Sequence, residues 1–206
     1  MDILFKYFPN LTDNQIEKFK KMYDLYYDWN SKINVISRKD FEQFYIHHVL
    51  HSLAIAKYCP FKEGSQILDL GTGGGFPAVP LAIFYPEVKF LAVDSIQKKI
   101  NVVQDIIDQL ELKNIKTQCA RVETIQGSFD FVITRAVAPF KDLLYWIRGK
   151  VHPISFNKLD NGLIALKGGD LKAEIKESKR KVHLTPISKY FSEEFFETKY
   201  ITYVKL

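Results

Sequence analysis

"LDLGTGGGFP", residues 68–77, decides how this chain is read. An apolar run ends at Asp69, and four glycines then fall within five positions before Phe76 and Pro77. The whole chain holds only ten glycines, so nearly half are gathered in one turn. Without a Cβ, Gly71, Gly73 and Gly75 can take positive φ and let a ligand close onto the backbone. The flanks say what the turn connects. "QILDL" before it reads as a short buried strand, and "FPAVPLAIFYP" after it as a helix starting near Pro77, a residue favoured at the first helical position. A strand-to-helix turn of this kind lies outside the carboxyl ends of a parallel sheet, where such sheets bind ligands.

Working outward, the same alternation continues. "KFLAVD", "IKTQCA", "FDFVITRA" and "GLIALKGG" read as further strands. The helices between them are "IQKKINVVQDIIDQLEL", with Ile96, Ile100, Val103, Ile107 and Leu110 on one face, and "PFKDLLYWIRGK". A Lys-rich helix, "DLKAEIKESKRK", follows the fifth strand, and the tail "LTPISKYFSEEFFETKYITYVKL" has β-prone pieces suited to a closing hairpin. Strands alternating with helices predict a parallel sheet with right-handed crossovers. The N-terminal quarter is helical instead. Thr12 and Gln15 have capping-box spacing, and Ile16, Phe19, Met22, Tyr23, Tyr26, Trp29 and Ile33 recur at helical intervals. After the break "NSKINVISRKD", Asp40 is placed to cap a second helix carrying Phe41, Phe44, Tyr45, His48, Ser52, Leu53 and Ala56.

Asp94 ends the second strand, 23 residues after Gly71. A carboxylate there can accept hydrogen bonds from both hydroxyls of a ribose, so turn and acid together point to a nucleoside cofactor. A dinucleotide fingerprint needs a third glycine at position 76, which is phenylalanine. S-adenosylmethionine has no pyrophosphate to seat, and Asp69 at the end of the first strand suits its ammonium group. The acid-x-G-x-G-x-G spacing is met by Asp69, Gly71, Gly73 and Gly75. A nicotinamide enzyme and a turn with no ligand remain the alternatives. The fourth strand ends in "TRAVAP", without the Asp/Asn-Pro-Pro-aromatic motif of amino-group methylation, and neither Cys59 nor Cys119 falls in a loop suited to a nucleophile. The acceptor is therefore expected to be an atom that is already nucleophilic.

Composition fits an ordinary globular chain: 206 residues, 47% hydrophobic and 26% charged, with mean hydropathy −0.12. No apolar run approaches the roughly 20 residues that span a bilayer, and no signal-peptide pattern opens the chain. Two distant cysteines read as buried thiols in a reducing cytoplasm. The net charge of +5 comes entirely from residues 141–206, with 13 basic and 8 acidic side chains; residues 1–140 balance at 16 each. That bias suits a polyanionic partner. Lys98, Lys99, Lys167 and the run from Lys172 to Lys181 are candidate phosphate contacts. His47 and His51 lie four apart but bring no third ligand into view, so no metal is expected.

The strings "NVIS", "HHVLHSL", "DLGTGGGFPAVPLA", "VDS", "ARVE", "ITRAVA" and "ALKG" occur in this order. From about Leu11 to Leu206 the chain resembles the glucose-inhibited division protein B (RsmG) family of small-subunit ribosomal RNA methyltransferases. The resemblance implies a class I S-adenosylmethionine-dependent methyltransferase: an α/β, Rossmann-like core with a mostly parallel seven-stranded sheet over residues 63–206, and an N-terminal helical extension over residues 1–62. It implies methylation of N7 of a guanosine in the 530 loop of 16S rRNA, with naked rRNA or the small ribosomal subunit as partner, by a cytoplasmic monomer. It carries Gly71, Phe76, Val122, Glu123 and Arg135 over as cofactor contacts, beside Asp69, Gly73 and Asp94. Arg135 also has a plainer reading as a salt bridge at a strand end. His48 matches the family's histidine before "DSL" and, with Arg135, is a candidate at the reacting centre; a packed, hydrogen-bonded histidine fits equally. Lys167 lies in the matching "ALKG", at the expected site edge. His51 departs from the family, which has Asp there. Two other functions stay open: methylation of a protein or small molecule, and a nucleoside- or RNA-binding module without turnover.

Overall fold

The computed structural model describes residues 1–206 except Asn34 and Ala136, and the side chains of Arg38 and Lys39. The first residue of "NVIS" and the fourth of "ITRAVA" thus lie outside the described residues. Seven strands form one sheet: β1 (Gln66–Leu70), β2 (Lys89–Asp94), β3 (Ile115–Cys119), β4 (Phe131–Arg135), β5 (Gly162–Gly168), β6 (His183–Pro186) and β7 (Lys199–Lys205). Their order is β3-β2-β1-β4-β5-β7-β6. The first five are parallel, and β7 runs antiparallel between β5 and β6. The order reverses beside β1, so the loops after β1 and β4 flank the switch point where a ligand crevice opens.

The helices are α1 (Asp2–Tyr7), α2 (Asp13–Lys32), α3 (Arg38–Phe41), α4 (His51–Tyr58), α5 (Ala78–Phe84), α6 (Gln97–Gln109), α7 (Phe140–Trp146) and α8 (Lys172–Ser178). The expected capping box is present: Thr12 Oγ1 accepts from the Gln15 amide at 3.3 Å, and Gln15 Oε1 accepts from the Thr12 amide at 2.9 Å. The inner strands β1, β4 and β5 are buried on both faces, which explains their near-continuous apolar runs, whereas the edge strands β3 and β6 are largely exposed. Ile67 of β1 packs with α2, α4, α5 and α6 on one face; Leu68 and Leu70 pack with α7 on the other.

Three expectations need correction. Asp40 is not the cap of the second helix. Ser37 is: its hydroxyl accepts from the Asp40 amide at 3.2 Å, while the Asp40 carboxylate takes the Ser37 hydroxyl at 2.6 Å and His47 Nδ1 at 3.1 Å. The helix is also not continuous. A π-helical stretch, Tyr45–Leu50, precedes α4, and Val49, Leu50 and His51 join the expected Phe41, Phe44, Ser52 and Leu53 among the buried residues. Cys119 is exposed, because it ends the edge strand β3; Cys59 is buried as expected.

Candidate cofactor cleft

The carbonyl of Leu70 accepts from the buried Thr134 hydroxyl of β4 at 2.8 Å, which fixes where β1 ends. The chain then turns through Gly71 (φ +68°), Gly73 (+58°) and Gly75 (+92°). The turn closes on itself, with the Gly75 and Phe76 amides donating to the Thr72 carbonyl at 2.9 and 3.0 Å. No side chain fits at two of these positions. A Cβ on Gly71 would come within 2.6 Å of Val137 Cγ2, and one on Gly75 within 2.8 Å of both Tyr26 Oη and Val79 Cγ2.

Around the turn opens a cleft of about 800 Å³. Its walls include Gly71, Gly73, Phe76, Asp94, Val122, Glu123 and Arg135, seven of the eight cofactor positions expected from the sequence. Asp94 is oriented by the backbone: Oδ2 accepts from the Gly73 amide and Oδ1 from the Ile96 amide, both at 3.0 Å. The short 3₁₀ turn Val122–Thr124 is held from beneath by Lys150, a buried lysine. Its Nζ donates to the carbonyls of Glu123 at 3.1 Å and Ile125 at 2.6 Å.

Asp69 is the eighth position, and it lies elsewhere. It is fully buried and not among the residues lining the cleft. The pleat turns Leu70 toward the cleft and Asp69 toward the helices on the opposite face, where Oδ2 accepts from the Ala78 amide at 3.2 Å. Burial pushes its pKa up to about 7, against the pull of neighbouring hydrogen-bond donors and the Arg135 charge. Asp69 thus anchors the start of α5 and does not present its carboxylate to the cleft.

Arg135 makes no ion pair among the described residues. One guanidinium nitrogen donates to the His47 carbonyl at 3.3 Å and another to His48 Nδ1 at 3.2 Å, and the group stands 4.9 Å from the Phe76 ring centroid. Burial lowers its pKa to about 10, with Asp69 opposing the shift. His48 sits behind Phe76, ring centroids 5.0 Å apart, and does not line the cleft. Burial, then the Arg135 charge, lowers its pKa to about 3. A neutral imidazole accepting from Arg135 at Nδ1 must carry its proton on Nε2. His48 is thus placed to support Arg135 from behind Phe76. His51 is buried beside Phe195 and Phe196, where an aspartate would be harder to desolvate.

Of the phosphate candidates, Lys98 and Lys99 line the cleft and are exposed. Lys167 does not. Glu174 of α8 covers the end of β5 and takes its ammonium at 2.5 Å; the Ala138 carbonyl takes it at 2.7 Å, and it lies 4.7 Å from the Phe140 ring centroid. It clamps the loop after β4 and is closed to phosphate. Lys172 lies on a separate groove beside α8. Arg121, Tyr26, Ile33 and Val35 are among the residues of the site that sequence reasoning missed. Arg121 lies inside the quoted "ARVE", and that position was its signal. Tyr26 reads as one more apolar residue of α2, yet its hydroxyl donates to the Gly74 carbonyl at 2.5 Å. Ile33 and Val35, which follow α2, reach the cleft wall and had no signal beyond their apolarity.

A profile of the family described as "GidB: rRNA small subunit methyltransferase G" matches residues 15–201. The protein called ribosomal RNA small subunit methyltransferase G in Flavobacterium johnsoniae is 51% identical over 206 residues, covering 100% of this chain and 98% of that one. The protein of the same name in Bacteroides thetaiotaomicron is 51% identical over 206 residues, covering 100% of both. The chain belongs to the ribosomal RNA small subunit methyltransferase G family. Solved structures agree on the fold alone. A SAM-dependent methyltransferase from Aquifex aeolicus superimposes with TM-score 0.56 at 17% identity, over 75% of this chain and 89% of that one. Precorrin-6y C5,15-methyltransferase from Geobacter metallireducens gives 0.56 at 9% identity, over 84% and 92%. The glycine turn of this methyltransferase G family member, with Asp94 across from it, is thus set in a class I methyltransferase sheet.

Proposed function

We propose that this protein transfers a methyl group from S-adenosylmethionine to N7 of a guanosine in the 530 loop of 16S ribosomal RNA. The observation that carries this reading is the pairing of a glycine turn after β1 with a backbone-oriented carboxylate at the end of β2. Its setting is a chain half identical to rRNA methyltransferases over its full length.

The residues fit the donor. Each Asp94 oxygen already accepts one backbone amide and retains acceptor capacity for a ribose hydroxyl. Val122 and Glu123 flank the position for adenine, and Arg135 offers an unpaired guanidinium to the carboxylate of the amino-acid end. When bound, the cofactor supplies an electrophilic methyl on a sulfonium centre. Guanine N7 has a free lone pair and no proton to lose, so the site needs no general base. In keeping with this, neither histidine nor cysteine lines the cleft among the described residues. What the chain must supply is alignment, which contributes roughly 7 to 11 kcal/mol in well-oriented reactions.

The test is methyl transfer from labelled donor to small subunits lacking the modification. The expected product carries label at one guanosine of the 530 loop, at a site that borohydride and aniline cleave as they do 7-methylguanosine. Label at a different atom or in a different RNA would discard the N7 assignment. Absence of S-adenosylhomocysteine binding by calorimetry would discard the donor.

A further inference from the structure

Four cations line the cleft: Lys98, Lys99, Arg121 and Arg135. Against them stand two carboxylates, Asp94 and Glu123, and Asp94 is nearly buried and bonded to backbone amides. The bound methyl donor cannot account for this balance. It carries a sulfonium, an ammonium and a carboxylate, so its net charge is positive, and its one carboxylate is answered by Arg135. Lys98, Lys99 and Arg121 are left over. All three are exposed, and none has a carboxylate or hydrogen-bond partner for its side chain among the described residues. Other lysines near the cleft are internally engaged, Lys150 by two carbonyls and Lys167 by Glu174. Beside the free cations Ile96 is 48% exposed, an apolar surface at the same rim.

We infer that Lys98, Lys99 and Arg121 form a phosphate-binding rim that grips the RNA backbone at the Asp94–Val122 end of the cleft. Lys98 and Lys99 project from the first turn of α6, and Arg121 from the loop after the neighbouring strand β3. The rim therefore stands on the β2–β3 side of the cleft, on the loops that also carry Asp94 and Val122. Exposed cations without internal partners neutralise phosphates and release their counterions, which favours a polyanion over a single charged metabolite. The exposed lysines of α8 could serve the same partner, but they do not line the cleft. The rim rests on the rRNA methyltransferase reading and narrows it to a docking edge.

The test compares wild type, the triple variant Lys98→Gln/Lys99→Gln/Arg121→Gln, and the α8 variant Lys172→Gln/Lys176→Gln/Arg180→Gln, on α8 and the residues just after it. Binding of a 16S rRNA fragment spanning the 530 loop is measured over a series of KCl concentrations, and S-adenosylhomocysteine binding by calorimetry. The rim variant should bind RNA more weakly, with a log–log salt slope shallower by about 2, since each single-strand phosphate contact contributes about 0.7. Its affinity for S-adenosylhomocysteine should fall by a smaller factor than its affinity for RNA, because the donor's own carboxylate is met by Arg135. An unchanged slope, a slope change found only in the α8 variant, or lost cofactor affinity with intact RNA binding would each overturn the rim. Wild-type protein that does not hold the fragment overturns the RNA reading and the rim with it; wild-type binding with an indifferent rim variant overturns the rim alone.

Discussion

Arg135 is the residue on which the proposed cofactor orientation rests. Its guanidinium is part of the cleft wall and largely desolvated, bonded to a carbonyl and a neutral imidazole, with no anion of its own among the described residues. A desolvated cation without a counter-ion is costly, and a ligand carboxylate relieves that cost through charge-assisted hydrogen bonds. Arg135→Met should weaken S-adenosylhomocysteine binding roughly ten- to a hundredfold, the range of 1.5–3 kcal/mol for such bonds. Binding of methylthioadenosine, which lacks the amino-acid end, should barely change. Equal losses for both ligands in calorimetry would mean the side chain only supports the cleft. That Arg135, Gly71 and Asp94 would line one cleft was legible in the sequence, because each sits at or just after the end of a strand; Glu123 joins them from the turn that follows β3. Asp69 and Lys167 misled for the opposite reason. One was turned to the other face by the pleat, and the other was captured by Glu174, a partner supplied from a helix distant in sequence.

At the scale of elements, α2 braces the ligand turn. Tyr26 is buried, and its hydroxyl donates to the Gly74 carbonyl; Trp29, one turn on, donates from Nε1 to Asp105 Oδ2 of α6 at 2.7 Å. The two bonds dock the same helix, but only the first touches the glycine turn. Tyr26→Phe leaves a carbonyl without its donor and should cost about 1–3 kcal/mol in urea unfolding. It should also weaken cofactor binding. Trp29→Phe should lower stability while leaving cofactor affinity intact. The same affinity loss in both variants would show that helix docking matters and the turn contact does not. Most elements were readable: "QILDL", "KFLAVD" and "GLIALKGG" are apolar runs bounded by turn residues, and each became a strand. The π-helical stretch Tyr45–Leu50 was not, because a helical pattern search assumes 3.6 residues per turn and cannot see a wider one. Tyr26 was placed correctly on the buried face of α2; what periodicity could not say is where its hydroxyl would go.

Across the whole molecule, charge is sorted by partner. On α8, Glu174 and Glu177 face α7 and β5, pairing with Lys167 and Lys141, while Lys172, Lys176 and Lys179 are exposed. Opposite the sheet, a buried polar group joins Asp69, Arg135, His48 and His51, and it sets how stability follows pH. His48 falls to a pKa of about 3, and burial likewise holds His51 well below the ordinary histidine value. Below about pH 6.5 the unfolded chain takes protons at these histidines that the folded chain refuses, so their contribution is full above about 6.5 and is lost as pH falls. Asp69 acts in the opposite sense. With its pKa raised to about 7, the folded state keeps a proton that the unfolded state releases above about 4, so this contribution declines as pH rises through that window. Two histidines against one carboxyl leave a net single proton, and folding should weaken by roughly 1 kcal/mol per unit as pH falls from 6 to 4.5. Asp40 and Glu193, whose pKa values lie below their ordinary ones, add to the loss at still lower pH. Urea denaturation across this range checks the slope. His51→Gln should flatten it and Asp69→Asn should steepen it; a wild-type midpoint that does not move between pH 6 and 4.5 would mean the buried histidines take up protons in place, and the group behind the glycine turn is wetter than its packing indicates.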